Sequence, residues 1–251
     1  MKSVQPASSA SRHDFLKWYH VASTGQALQA LESAYLKTNL RLGYNQKTVQ
    51  IGRLGSESRY IDPDFIGDFV LADNKGPRSF PTFVQTTAGS LPFATESIDT
   101  LILPHVLEFV ADRHQVLREV ARALKPEGRL FILGLNPWSP HRLLQLARRS
   151  SFWNARLIPP HHLLDWLSLL KFDAGLEAAF GGARGKTITH PCTAWDEWKA
   201  GVSLAYSIKA IKRCYTLIPI EPEWSRLTQL ISTPLIEAPR LVQEKLPCQH
   251  Q

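Results

Sequence analysis

Cysteine is scarce in this chain. The three present, Cys192, Cys214 and Cys248, are widely spaced among 251 residues and form no Cys-x-x-Cys pair, which argues against both a disulfide framework and a zinc knuckle. Long apolar runs are missing too. The best, Leu130 to Leu135, is broken by Gly134 and falls far short of the ~18–20 residues needed to cross a bilayer. The first fifteen or so residues are polar and Ser/Ala-rich, without the apolar core of a secretory signal, so the expected location is cytoplasmic, with no membrane partner. Gly 14 and Pro 17 are ordinary shares, which excludes a collagen-like or low-complexity chain. Acidic residues are the remaining shortfall, Asp+Glu 22 against Lys+Arg 29 for a net charge of +7. What is present is 44% hydrophobic residues, enough for a well-buried core in an ordinary globular fold.

Residues 1–12 read as a tail, and Leu28, Leu31 and Tyr35 mark a helix over Gly25 to Leu36. Short β-branched or apolar runs follow at Thr48–Gly52, Asp68–Asp73, Thr82–Thr86, Ser97–Leu103 and Gly128–Leu133. The last two are continuously apolar, as suits strands buried on both faces. Between them Val116, Val120 and Leu124 fall at i, i+4 and i+8. Asp112 and Gln115 resemble a capping box ahead of that helix, and Lys125-Pro126-Glu127-Gly128 stops it. Strand, helix, strand in so short a span is a crossover unit of a parallel sheet, and the class is α/β. A helix over Pro160–Leu170, a sixth strand over Ala174–Phe180 and a seventh over Val202–Lys212 complete the reading, with Gly181–Gly201 as an insertion.

Open parallel sheets bind ligands outside the C-terminal ends of their strands. The informative positions are therefore Gly52 to Ser56, Asp73-Asn74, Thr86 to Gly89 and Pro104-His105. Leu91-Pro92-Phe93, Ser97-Ile98-Asp99, Pro104 to Phe109, Leu117-Arg118-Glu119-Val120, Leu124 to Leu130 and Asn136-Pro137-Trp138 resemble the class I S-adenosylmethionine-dependent methyltransferases of the type 11 branch, and most of all a bacterial methyltransferase-like family with a Leu-Pro-His-Val-Leu-Glu-Phe element and a degenerate glycine motif. The resemblance is dense over residues 85–140. It implies a Rossmann-like three-layer sandwich around a mostly parallel seven-stranded sheet, S-adenosyl-L-methionine as cofactor, and a division into an N-terminal tail and helical extension (1–46), a methyltransferase-like domain (47–215) and a C-terminal tail (216–251).

Carried over by position, the resemblance implies a cofactor site of Gly52, Gly55, Asp73, Thr87, Ala88, Pro104 and His105. Family members end the first strand in an acid followed by Gly-x-Gly-x-Gly, whereas here the acid is replaced by Gln50 and two of the glycines by Leu54 and Ser56. Asp73 matches the carboxylate that accepts both ribose hydroxyls. Thr87-Ala88 stand where the family places Asp-Ala near the adenine. Methyl transfer is an in-line displacement that needs alignment and a base only where the acceptor must lose a proton, a role open to His105, whose alternative is to help close the cofactor pocket. Asn136, Trp138 and Arg142 shape a substrate rim. Asn136-Pro137-Trp138 is similar to an element of DNA amino-methylases but follows the fifth strand rather than the fourth.

Between Gly128 and Leu164 lie Arg129, Arg142, Arg148, Arg149 and Arg156 without an acid, which points to an anionic small-molecule acceptor. Two alternatives stay open: a nucleic-acid substrate, since aromatic residues interleave with the arginines, and a non-catalytic binding module, since the glycine motif is altered. No metal is expected, because His161-His162 lack ligand spacing.

Overall fold

Alternation along the strands sorts the apolar residues onto two faces. In the computed structural model, which describes residues 9–40, 46–61, 69–76, 82–142, 156–181, 188–189 and 202–213, the strands are β1 (Thr48–Ile51), β2 (Phe69–Asp73), β3 (Phe83–Gln85), β4 (Ile98–Pro104), β5 (Leu124–Leu135), β6 (Phe172–Phe180), β7 (Ile188–Thr189) and β8 (Ala205–Lys212). They form one sheet in the order β3-β2-β1-β4-β5-β8-β6-β7. The pairs among β1 to β5 are parallel, while β8 runs antiparallel to both β5 and β6. The seven expected strands are all present. The eighth, β7, is a two-residue edge strand on β6 inside the segment read as an insertion; apart from Gly181, the rest of that insertion lies outside the described residues, as does the tail after residue 213.

Successive strand residues point to opposite faces. Val70, Ala72, Leu101, Leu103, Leu130 and Ile132 meet α3 (Arg113–Ala123) and α4 (Pro160–Leu169), through Val116, Leu117, Val120, Leu163 and Leu167. Phe69, Leu71, Ile102, Phe131 and Leu133 on the other face meet Phe15, Tyr19, Leu28, Tyr35 and Leu36. Those residues belong to α1 (Ser9–Val21) and α2 (Ser23–Asn39). The N-terminal segment is therefore not an appendage: it supplies one of the three layers, and Phe15 and Tyr19, spaced i, i+4 and wholly buried, each contribute about 2 kcal/mol of apolar burial. Helix α1 begins within the segment read as a tail, and α2 is longer than the expected helix at both ends.

The predicted cap of α3 is present, with the Asp112 carboxylate accepting the Gln115 amide at 2.9 Å. Strand β5 starts four residues earlier than expected. Lys125-Pro126-Glu127-Gly128 does end α3, but the chain enters the sheet at once, with Ile98 paired to Leu124, a register shift, then Thr100 opposite Arg129. The arginine run does not gather on one rim. Arg129 pairs with Thr100 near the start of β4, away from the strand C-termini, while Arg156 serves α3 by accepting, through its carbonyl, a hydrogen bond from Arg113. Arg148 and Arg149 lie outside the described residues.

Candidate functional site

Strand order reverses around β1, which pairs with β2 on one side and β4 on the other, so a crevice opens at their C-terminal ends. A cleft of about 680 Å³ lies there, walled by Gly52 and Arg53 after β1, Asp73 to Lys75 after β2, Thr86 to Ala88 after β3, Val106, Phe109 and Val110 after β4, and Arg12, His13 and Leu16 from α1. The volume suits a nucleoside-sized ligand. Of the residues expected from sequence, the cleft collects Gly52, Asp73, Thr87 and Ala88. Gly55 instead faces a separate polar cavity beside His20, and Pro104 is buried as the last residue of β4.

Gly52 turns the chain off β1 with φ +90°, and a Cβ built there would stand 2.5 Å from Val106 Cγ2 and 2.8 Å from Arg12 Nη2. Only glycine avoids both the strain and the collision. Gly52→Ala should therefore lower stability by about 1–3 kcal/mol and distort the cleft floor; denaturant titration beside ligand titration checks both. The turn that follows is held from below. Glu57 Oε1 accepts the amides of Leu54 (2.6 Å) and Gly55 (2.9 Å) and the Gln50 side-chain amide (3.2 Å). Tyr60 donates its hydroxyl to Gln50 Oε1 at 2.5 Å, and burial and the Glu57 charge push that phenol up from its ordinary pKa. The acid missing from the end of β1 thus has a counterpart seven residues on.

Asp73 closes the other side of the cleft. Its Oδ2 accepts the Arg53 amide at 2.7 Å, and its Oδ1 accepts the Asn74 amide at 2.6 Å and Arg12 Nη1 at 3.1 Å. The guanidinium also donates from Nη2 to the Arg53 carbonyl at 3.2 Å. Arg12 was not expected at the site, because its only signal is the three-dimensional placement of α1.

His105 is placed behind the cleft wall, not on it. The chain turns there in the left-handed region, φ +48°, and the ring is wholly enclosed. Nε2 lies 3.0 Å from Glu32 Oε1 and Nδ1 lies 3.5 Å from Glu108 Oε1. Burial alone would lower the imidazole pKa, but the two carboxylates outweigh it and push it up to about 10. A ring that keeps its proton and touches no open space cannot serve as a general base. Tyr19 donates to Glu32 at 2.7 Å and Glu108 accepts the Leu135 amide at 2.8 Å, so the imidazolium ties the N-terminal layer to the ends of β4 and β5.

The expected rim residues sit beyond β5 and do not line the cleft. Asn136 is buried and accepts the Trp138 amide at 3.0 Å. Trp138 is 69% exposed, and Arg142 donates to the Pro137 carbonyl at 3.0 Å. Among the described residues no group of three His, Cys, Asp or Glu side chains is placed to hold a metal ion, and no helix is long and apolar enough to cross a membrane.

Residues 42–132, which carry the cleft apart from its α1 wall, match a family model described as a methyltransferase domain. Over this stretch the chain is similar to the type 11 methyltransferase domains. An uncharacterized protein of Escherichia coli K12, YafS, is 39% identical over 103 residues, covering 40% of this chain and 43% of the relative. A ubiquinone/menaquinone biosynthesis C-methyltransferase, UbiE, from Marinomonas sp. strain MWYL1 is 34% identical over 124 residues, covering 47% and 48%. The chain matches less than half the length of each of these relatives. Among solved structures, a SAM-dependent methyltransferase from Thermotoga maritima superposes with a TM-score of 0.60 at 17% identity, over 81% of this chain and all of that one. One from Archaeoglobus fulgidus gives 0.54 at 15%, over 73% and 94%. At such identities the likeness is one of fold. The cofactor implied by the methyltransferase domain is S-adenosylmethionine, and the residues present fit it: a left-handed glycine whose Cβ position must stay clear, and a strand-end carboxylate facing a nucleoside-sized cleft.

Proposed function

We propose that the protein is an S-adenosylmethionine-dependent methyltransferase acting on a small anionic acceptor. The observation that carries the reading is the convergence of Gly52, Asp73, Thr87 and Ala88 on one cleft at the switch point of the sheet. When bound, the cofactor supplies an electrophilic methyl on a sulfonium. The chain's own residues orient and exclude water: Asp73 presents a carboxylate to a diol, Gly52 lets the ligand approach backbone, and Leu16, Val106, Phe109 and Val110 form the apolar part of the wall. The charge on the acceptor is supported by Arg12, Arg53 and Lys75 on that wall against the single acid Asp73 among its described residues, and no longer by the arginine run after β5. His13 is the imidazole on that wall and the candidate base for an acceptor that must lose a proton; an acceptor that is already nucleophilic needs none.

S-adenosylmethionine and S-adenosylhomocysteine should each raise the melting temperature in a concentration-dependent way, by about 2.7 kcal/mol of stability at one hundred times Kd. No shift at millimolar ligand overturns the reading. Transfer of labelled methyl groups to a metabolite fraction, and not to nucleic acid, tests the acceptor class.

A further inference from the structure

We infer that Arg12 is a latch on the cofactor carboxylate: its ion pair with Asp73 must open before a ribose can be held there, so α1 sets the affinity for the nucleoside. The inference rests on the cofactor reading above and deepens it. A carboxylate offers about four acceptor positions. Three on Asp73 are filled, by Asn74 N and Arg12 Nη1 on Oδ1 and by Arg53 N on Oδ2. A ribose diol needs two. The two backbone amides cannot leave without unwinding the turns after β1 and β2, whereas a guanidinium on a helix side chain can swing away. Arg12 also lies over the glycine against which a ligand would pack, its Nη2 2.8 Å from the position of a Gly52 Cβ, so the same movement clears both ends of the cleft. The helix itself need not leave, since Phe15 and Tyr19, one and two turns on, stay anchored in the core. The Arg12 side chain is 23% exposed and Asp73 11%, which places the pair at the range of partly screened ion pairs, strong enough to matter for affinity and weak enough to be displaced.

The test is calorimetric titration of the full chain with 5′-methylthioadenosine, which has the ribose but no net charge, and with S-adenosylhomocysteine, using the unchanged protein, Arg12→Ala and Arg12→Lys. Arg12→Ala should bind 5′-methylthioadenosine about three- to fivefold more tightly, and Arg12→Lys should lie between the two. Raising salt should tighten binding of this neutral ligand to the unchanged protein, because it screens the competing pair, and leave Arg12→Ala unaffected. A folding defect would weaken binding, so a gain cannot come from one. Ligand binding by the unchanged protein with equal or weaker binding by Arg12→Ala overturns the latch and leaves the cofactor reading standing. No binding of either ligand by any of the three proteins overturns both. Binding by Arg12→Ala alone supports both.

Discussion

Replacing His105 with glutamine should destabilise the fold by about 3–5 kcal/mol, the cost of removing one partner from a buried charged cluster. Glu32 and Glu108 would remain enclosed without the cation between them, and Tyr19 would be left bonded to an acid with no compensating charge. The pH dependence separates this effect from a simple packing loss. The imidazole titrates at about 10 in the fold and near 6.5 in the unfolded chain, so the folded state holds the extra proton between those values. The stability His105 contributes is fully present below about pH 6.5 and is lost as pH rises towards 10. The unchanged protein should therefore weaken steadily across that window, and His105→Gln should show a flatter profile there. Chemical denaturation at pH 6, 8 and 9.5 is sufficient. A variant that unfolds at the same denaturant midpoint as the unchanged protein at pH 6 contradicts the assignment.

Glu57→Ala should be nearly as damaging, at about 2–4 kcal/mol, because two backbone amides and a buried side-chain amide lose their acceptor together. Glu57→Gln keeps an oxygen in place and should cost about 1 kcal/mol, the difference between a charged and a neutral acceptor. Hydrogen exchange locates the effect: the amides of Leu54 and Gly55 should lose protection in Glu57→Ala while those of β4 and β5 keep theirs. Since this turn follows directly from Gly52, the alanine variant should also lose affinity for S-adenosylhomocysteine, whereas a distant core substitution of equal stability cost should not.

These two sites mark where sequence reading stops. The strands were legible because each is a short apolar or β-branched run ending in a turn residue, and the cleft residues Gly52, Asp73, Thr87 and Ala88 were legible because they are strand endings. The cap on α3 was legible for a similar reason, since donor and acceptor are three residues apart. His105 was singled out at the right turn but assigned to the wrong side of it, because its partner Glu32 is 73 residues away on a helix whose packing face had not been placed. Arg12, and its pairing with Asp73 61 residues away, escaped for the same reason. Glu57 was within reach: an acid seven positions past Gln50, just after two glycines, is a local signal for a carboxylate displaced from a strand into its turn. The excess of arginine misled because strand polarity decides which end of a sheet a residue occupies, and Arg129 pairs near the start of β4, away from the strand C-termini.

The position of β8 has a consequence for synthesis. It is the last of the described strands to be made, yet it lies between β5 and β6. Until residues 205–212 have left the ribosome, β5 has β4 on one side and an open row of amides and carbonyls on the other, flanked by Leu130 to Leu133. At about 5–20 residues per second, the roughly seventy residues separating the end of β5 from the start of β8 take several seconds to appear, during which an apolar edge is open to pairing with other chains. Nascent chains halted before residue 205 should be bound by chaperones, and those halted well beyond 213 should be released.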